Sequence, residues 1–163
     1  MLHVALYQPQ IPPNTGNIAR QCVGMNAHLH LVGPIAFDLS DHAVRRSGLD
    51  YWPHLSLTLH PTPDDFLRWL GPREPWLITK RGALRYDRPA YADGDVLLLG
   101  SESAGLPADW LARWPHRTVV IPILGPVRSY NLANAAAILL AHASLTAGLY
   151  PSDPNPADSN PAT

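Results

Sequence analysis

The apolar run Val96–Leu99 constrains the fold of this chain more than any other stretch of the sequence. A strand that is apolar at every position has no face to turn toward water, so both of its faces must be covered. Such strands are typical of parallel sheets with helices on each side. The run leads into a loop, residues 100–107, whose two glycines allow close backbone approach. Capping serines explain part of this loop, but they leave Glu102 unexplained.

The rest of the sequence alternates short strands with short helices. Strands are predicted at residues 2–7, 28–32, 56–60, 76–79, 96–99 and 118–123. Helices are predicted after an N-cap at Asn14, at 38–46, at 66–70 with Thr62 or Asp64 as the cap, at 108–114 and from Leu132 onward. The alternation predicts an α/β fold with a mostly parallel sheet flanked by helices. Ligands bind at the carboxyl ends of such strands, so we expect the loops after Thr79, Gly100 and Ile123 to meet.

Size and composition indicate one globular domain. The chain has 163 residues, of which 46% are hydrophobic and 15% are charged. We expect this domain to span residues 1–150 and the Pro-rich residues 151–163 to form a disordered tail.

Cys22 is the only cysteine, which excludes a disulfide within the chain and favours a reducing compartment. Without a signal-peptide pattern or a membrane-length apolar run, the expected location is the cytoplasm.

A net charge of -1 excludes a globally basic surface, so any nucleic-acid site must be a local patch. Residues 80–88 form one candidate patch, which includes Arg81 and Arg85. Arg45 and Arg46, followed closely by Tyr51 and Trp52, form another, in which the aromatic rings could stack on RNA bases. Both segments are also compatible with an ordinary basic loop and a basic helix end.

The junction before the last helix carries the most unusual chemistry. Pro122 ends strand pairing, and Gly125-Pro126 forces a turn. Ser129 and Asn131 are suited to capping the following helix. Arg128 is not, because a cation is disfavoured at the positive end of a helix dipole. A bound anion or polar ligand would explain it.

The histidines give a weaker signal. His28 and His30 share one face of a predicted strand and could chelate a metal, but a surface or core role is favoured because no zinc-type cysteines accompany them.

Three segments together resemble the SPOUT superfamily of knotted RNA methyltransferases. They are Asn14-Thr15-Gly16-Asn17-Ile18-Ala19-Arg20, the stretch at 98–107, and Ile121-Pro122 with Arg128-Ser129-Tyr130-Asn131-Leu132. The segments at 7–13 and 45–51 narrow the resemblance to the single-domain group that methylates the wobble nucleotide of tRNA. The resemblance covers about residues 1–150.

The resemblance implies a deep trefoil knot near the C-terminus and a homodimer. It also implies that S-adenosyl-L-methionine binds against Ile78, Gly100, Ile121 and Ser129, with no metal.

The reaction implied by the resemblance is methyl transfer to the ribose 2'-oxygen of cytidine or uridine 34, in the anticodon stem-loop of tRNA, with leucine tRNAs as the expected isoacceptors. The resemblance assigns catalysis to Arg20, Ser129 and Asn131. The implied RNA contacts are Asn17, Arg45, Arg46, Arg81 and Arg85. Free guanidinium stays protonated, so Arg20 could hold a phosphate while the phosphate or a water takes the proton.

Three alternatives stay open at this point. The chain could methylate another tRNA or rRNA nucleotide, although relatives with such targets usually carry an extra RNA-binding domain. It could be a non-catalytic RNA- or nucleotide-binding module of the same fold. It could also be an α/β nucleotide enzyme without an RNA substrate, which the net charge of -1 favours.

Overall fold

The computed structural model describes residues 1–38 and 51–151. Within these ranges, seven strands form one sheet in which every strand pair is parallel. The strands are β1 (His3–Tyr7), β2 (His28–Val32), β3 (Leu57–His60), β4 (Trp76–Ile78), β5 (Leu84–Arg85), β6 (Val96–Leu99) and β7 (Thr118–Val120). Their order across the sheet is β3-β2-β1-β6-β4-β7-β5.

Four α-helices in the described part of the chain connect and cover these strands. They are α1 (Pro12–Gly24), α2 (Pro63–Leu70), α3 (Ala108–Arg113) and α4 (Leu132–Thr146), with single 3-10 turns at Trp52–His54 and Pro115–Arg117. None of the helices in the described ranges is both long and apolar enough to cross a membrane.

Strand β6 lies between β1 and β4, and all four of its residues are buried. Its side chains alternate between two separate clusters of buried residues. Leu97 and Leu99 pack in the cluster that includes residues of α1 and α4, whereas Val96 and Leu98 pack in the cluster that includes residues of α2 and α3. The continuous apolar run therefore supplies both faces of the core, as the sequence predicted.

The start of α2 follows its sequence signal. The Thr62 side chain accepts a hydrogen bond from the backbone N–H of Asp65, and the Asp65 carboxylate accepts one from the backbone N–H of Thr62. This reciprocal pair is a capping box, and it confirms the prediction of Thr62 as one of the two candidate caps.

The predicted α/β fold with a parallel sheet is confirmed, one local prediction is wrong, and one strand was missed. Helix α1 begins at Pro12, so Asn14 lies inside its first turn and is not the N-cap; proline is well tolerated at the first helical positions. The two-residue edge strand β5 was not predicted, because it is too short to show a periodic pattern.

Some predictions are not tested by this structure. Most of the predicted helix at 38–46 and of the tail at 151–163 lies outside the described residues. The knot and the domain limits at residues 1 and 150 stay predictions.

The loop between β4 and β5 packs directly on the backbone of β7. A Cβ atom added to Gly82 would lie 2.3 Å from the carbonyl carbon of Val119. The next residue, Ala83, donates its backbone N–H to the Thr118 hydroxyl at 2.9 Å. The absence of a side chain at Gly82 is therefore what allows this loop to lie against β7.

We expect Gly82→Ala to lower the free energy of unfolding by about 1–3 kcal/mol, because the clash is with backbone that must shift. Denaturant unfolding followed by circular dichroism measures this. Gly24→Ala is the control, since a Cβ there would meet no atom within 4 Å from the described residues outside its own helix. Equal stability of the two variants would contradict the packing argument.

Candidate functional site

A cleft with a volume of about 1160 Å³ opens where β4, β6 and β7 end. Most of its wall comes from three stretches that are far apart in the sequence, and Ile11 and Asn14 near the start of α1 add to it. The first runs from Ile78 to Arg81, the second from Leu99 to Leu106, and the third includes Val120, Ile121 and the residues around the start of α4. The three loops that were expected to meet do line one cleft, as carboxyl ends of neighbouring parallel strands should.

The loop after β6 owes its shape to its two glycines. The backbones of Ser101 and Gly105 exchange two hydrogen bonds, with N···O distances of 3.1 and 2.9 Å. Gly105 has a φ of +74°, which favours glycine. A Cβ on Gly100 would lie only 2.1 Å from the carbonyl carbon of Gly105. The fold of the loop itself thus requires glycine at position 100, before any ligand is considered.

The carboxylate of Glu102 joins this loop to the start of α1. It accepts hydrogen bonds from the backbone N–H groups of Gln10 and Ile11, at 2.9 and 3.1 Å. It also accepts one from the side-chain amide of Asn14 at 3.0 Å. An anion in this position satisfies backbone donors near the helix N-terminus and complements the helix dipole.

The same network continues to the start of α4. The Asn131 amide nitrogen donates to the Asn14 side-chain oxygen at 2.9 Å. The Asn131 side-chain oxygen caps α4 by accepting from the backbone N–H groups of Ala133 and Asn134, at 2.8 and 3.3 Å. Glu102, Asn14 and Asn131 therefore form one chain of hydrogen bonds through all three sequence segments that resemble the methyltransferases.

The four residues predicted to bind the cofactor all line the cleft: Ile78, Gly100, Ile121 and Ser129. Asn131, predicted as catalytic, lines it as well, and so does Arg81, predicted as an RNA contact. Arg128 is exposed and is not part of the cleft wall.

Arg20 and Asn17 lie elsewhere on α1, where both are exposed and neither forms part of the cleft wall. The guanidinium carbon of Arg20 lies 5.2 Å from the centroid of the Tyr51 ring. Tyr51 is buried, and its hydroxyl donates to the backbone oxygen of Gly16 at 2.9 Å. The ring is thus fixed to α1 and offers its face to the cation.

The remaining predicted RNA contacts differ in their surroundings. Arg85, on β5, forms an ion pair with Asp87 through two hydrogen bonds of 2.5 and 2.7 Å. Its guanidinium holds the pKa of the Asp87 carboxyl below its ordinary value. This pairing offsets part of the charge that Arg85 could offer to a phosphate. Arg45 and Arg46 lie outside the described residues.

Sequence reasoning missed the role of Asn14, which connects Glu102 to Asn131. Asn14 was interpreted only as the N-cap of a helix. The available signal was Glu102, whose unexplained carboxylate required donors from another segment.

The comparisons with known proteins agree with this geometry. Residues 1–141 match the profile of a family described as the SpoU rRNA Methylase family. The chain belongs to this family, and it is therefore a methyltransferase of the SpoU class. The resemblance inferred from the three motif segments is confirmed.

Individual relatives narrow the similarity. The chain is 40% identical over 151 residues to the tRNA (cytidine(34)-2'-O)-methyltransferase of Burkholderia cenocepacia, covering 91% of this chain and 97% of that one. A solved structure described as "Structural insights into the 2-OH methylation of C/U34 on tRNA" superposes with a TM-score of 0.86 at 43% identity, covering 92% and 98%. The longer SpoU methyltransferase AviRb from Streptomyces viridochromogenes, in complex with the cofactor AdoMet, gives a TM-score of 0.76 at 30% identity, covering 88% and 59%.

We expect Glu102→Ala to lower the free energy of unfolding by about 1–2 kcal/mol, because it leaves the donors at Gln10, Ile11 and Asn14 without their acceptor. The figure is moderate since Glu102 is only half-buried. Urea unfolding measures it. Glu74→Ala removes a carboxylate that accepts from His116 and Arg117 at the surface, and it should shift the midpoint less. A larger effect at Glu74 would contradict the structural role of Glu102.

Proposed function

We propose that this chain transfers a methyl group from S-adenosyl-L-methionine to the ribose 2'-oxygen of nucleotide 34 of tRNA. The observation that carries the proposal is the hydrogen-bonded chain from Glu102 through Asn14 to Asn131, which joins the three family motifs around one cleft. Relatives named for this reaction match nearly the whole length of the chain, which supports the same substrate here.

The cleft fits S-adenosyl-L-methionine in its chemistry and size. Ile78, Ile121 and Leu132 give it an apolar wall suited to the adenine ring and the sulfonium neighbourhood. The loop backbones beside them provide peptide N–H and C=O groups, which can bind the polar edge of a base. The Ser129 hydroxyl and the Asn131 amide, also in the wall, suit the polar ends of the molecule.

When bound, this cofactor supplies an electrophilic methyl group. The positive charge of its sulfonium is neutralised during transfer, and an apolar wall therefore does not oppose the reaction. Our assignment gives Ser129 the cofactor tail and Asn131 the ribose of the substrate. Asn131 is well held for such a role, because its side-chain oxygen and nitrogen are fixed by the α4 cap and by Asn14. A fixed donor–acceptor alignment contributes much of the rate in such a transfer.

Arg20 is proposed to bind and orient a phosphate of the substrate. Its position over the Tyr51 ring stabilises the charged guanidinium, which argues against a role as a proton acceptor. The 2'-hydroxyl proton would then pass to that phosphate or to a water. Arg20 lies six residues after Asn14, which lines the cleft. Along the axis of a helix this separation corresponds to roughly 9 Å. A polynucleotide could reach both places at once.

For RNA binding we propose a local basic edge formed by Lys80 and Arg81, which are exposed and line the cleft. Arg85 is a weaker contributor because of its pairing with Asp87. Asn17, Arg45 and Arg46 are retained as proposed contacts. Our further proposals are that the substrate is the anticodon stem-loop, that cytidine or uridine is accepted at position 34, and that leucine tRNAs are the targets.

We also propose that the protein acts as a homodimer in the cytoplasm. In support of self-association, the loop before α4 exposes large apolar side chains, with Leu124 98% exposed and Val127 57% exposed. At the other end of α4, Leu145 is 66% exposed. Contact with a second copy of the chain would remove this apolar surface from water.

The deciding experiment is methyl transfer from labelled S-adenosyl-L-methionine to bulk tRNA from cells that lack this protein, with mapping of the modified nucleotide. A 2'-O-methyl group at position 34 is the expected result, and sequencing the labelled tRNAs identifies the isoacceptor. Methylation elsewhere would overturn the substrate assignment. Cofactor binding without transfer to any RNA would overturn the activity.

We expect Arg20→Ala to lower the transfer rate at least about 100-fold, because the substrate loses its alignment. Affinity for S-adenosyl-L-methionine, measured by calorimetry, should change little since Arg20 is not in the cleft wall. The control is Arg113→Ala, which removes a cation that also lies over an aromatic ring, that of Trp114, at 4.6 Å. Parallel losses of transfer and cofactor affinity in Arg20→Ala would refute the assigned role.

We expect Arg81→Ala to weaken tRNA binding and to reduce the slope of log affinity against log salt by about 1, as for the loss of one phosphate contact. Arg85→Ala should have a smaller effect because of Asp87. Filter binding at several salt concentrations measures both. Arg68→Ala, which breaks an exposed ion pair with Asp65 on α2, is the control. A slope in Arg81→Ala identical to that of the unmodified protein would remove Arg81 from the RNA surface.

A further inference from the structure

Four histidines lie together on one face of the sheet, among residues that the proposed reaction does not use. His3 and His28 are the first residues of β1 and β2 and are direct partners in the register of these two strands. His30 follows two positions after His28 and therefore points to the same face. His60, at the end of β3, completes the group. We call these four residues the histidine cluster.

The rings of the histidine cluster are close enough to share protons. Nδ1 of His3 lies 3.0 Å from Nε2 of His30, and Nδ1 of His30 lies 3.0 Å from Nε2 of His60. One nitrogen from each of His3, His28 and His30 lies within 4.8 Å of the others. The sequence indicated only the pair His28 and His30; the sheet register adds His3 and His60.

The surroundings favour neutral imidazoles. Burial lowers the pKa of His3 to about 4, with further contributions from His28, Arg73 and the N-terminal ammonium. Burial, followed by the neighbouring histidines and Arg73, lowers the pKa of His30 to about 2. Burial also lowers the pKa of His28. Neutral imidazole is the form that binds metals, through the ring nitrogen that carries no proton.

We propose that His3, His28 and His30 bind one divalent transition-metal ion, with Zn²⁺ as the expected ion. A tetrahedral zinc site with Zn–N distances of about 2.0–2.1 Å requires ligand nitrogens about 3.3 Å apart. The pair from His3 and His30 is already near this separation, and ring rotation could bring in His28. A fourth position remains for water.

The partners of two of these residues, His30 and His28, match what metal-bound histidines require. Such a ring normally donates its second nitrogen to an acceptor, which fixes the tautomer. Nδ1 of His30 has Nε2 of His60 as this partner, at 3.0 Å. Nε2 of His28 lies 2.8 Å from the Thr58 hydroxyl, which leaves the other nitrogen of that ring for a metal. Binding requires tautomers in which the ligating nitrogens carry no proton, and each neutral ring keeps one N–H on its other nitrogen.

The ligand set also selects the kind of metal. Imidazole nitrogens without a carboxylate suit Zn²⁺, Cu²⁺ or Ni²⁺ and do not suit Mg²⁺ or Ca²⁺.

Arg73 acts electrostatically on both His3 and His30 and opposes any added positive charge. Its guanidinium is kept over the Trp69 ring, 4.0 Å from the centroid. His30 is buried while His3 and His28 are partly exposed, so an ion can reach the site from the open side.

The competing explanation is a metal-free core cluster, in which the rings only exchange hydrogen bonds. Tag-free protein treated with a chelator and then titrated with ZnCl₂ in a calorimeter separates the two. The metal site predicts one Zn²⁺ per chain and a rise in the melting temperature. Co²⁺ in place of Zn²⁺ should give the visible absorption of a tetrahedral nitrogen site. Absence of saturable binding, or an octahedral Co²⁺ spectrum, would overturn the proposal.

Variants assign the site to its residues. His3→Asn and His28→Asn should each weaken zinc binding more than about 10-fold, since each removes a ligand. Both positions are partly exposed, and unfolding of the metal-free variants checks that they fold. His54→Asn, at an exposed histidine outside the cluster, should leave the affinity unchanged. Unchanged binding in both ligand variants, or loss in His54→Asn, would place the metal elsewhere and reject the site.

Discussion

The shape of the cleft depends on the hydrogen bonds that the carboxylate of Glu102 accepts. It binds two backbone N–H groups before α1 and the amide of Asn14, which lies 88 positions away in the sequence. Asn14 in turn accepts a hydrogen bond from the side chain of Asn131, which lies 117 positions after Asn14 in the sequence. No local interaction could keep three such distant loops in register at the end of a sheet. A fixed anion beside a helix N-terminus can, because it accepts several donors and complements the helix dipole at once.

This arrangement makes stability and the proposed chemistry inseparable at several positions. Asn131 caps α4 and also faces the cleft. Gly100 lines the cleft, yet its backbone is so close to Gly105 that the loop requires glycine for its own fold. Activity alone would therefore not separate a residue that contacts the ligand from one that shapes the loop. Arg20 differs, because it is exposed and lies outside the cleft wall, so its loss should leave the cleft intact.

Much of the fold and part of the candidate site could be predicted from the sequence, wherever a residue pattern was long enough to be compatible with only one type of secondary structure. The run Val96–Leu99 is apolar throughout, and it proved to be a buried strand with neighbours on both sides. Asn131 was expected at the start of α4, and it is the cap there. Strand β5 was missed because two residues carry no periodicity. Asn14 was assigned to the wrong role because its partners are set by tertiary contacts, which no local rule contains.

The charge distribution explains how a chain with a net charge of -1 could approach RNA. A carboxylate at the cleft would ordinarily repel phosphates, but the charge of Glu102 is directed into three N–H donors. Lys80 and Arg81 then dominate that edge of the cleft, where both are exposed. Further along the chain, the carboxylate of Asp87 offsets the positive charge of Arg85. Under the proposed function, Lys80 and Arg81 would attract RNA weakly at long range and more strongly close to the cleft. If the proposed function holds, recognition by such a surface would depend on how the RNA is positioned, in keeping with a reaction in which alignment contributes much of the rate.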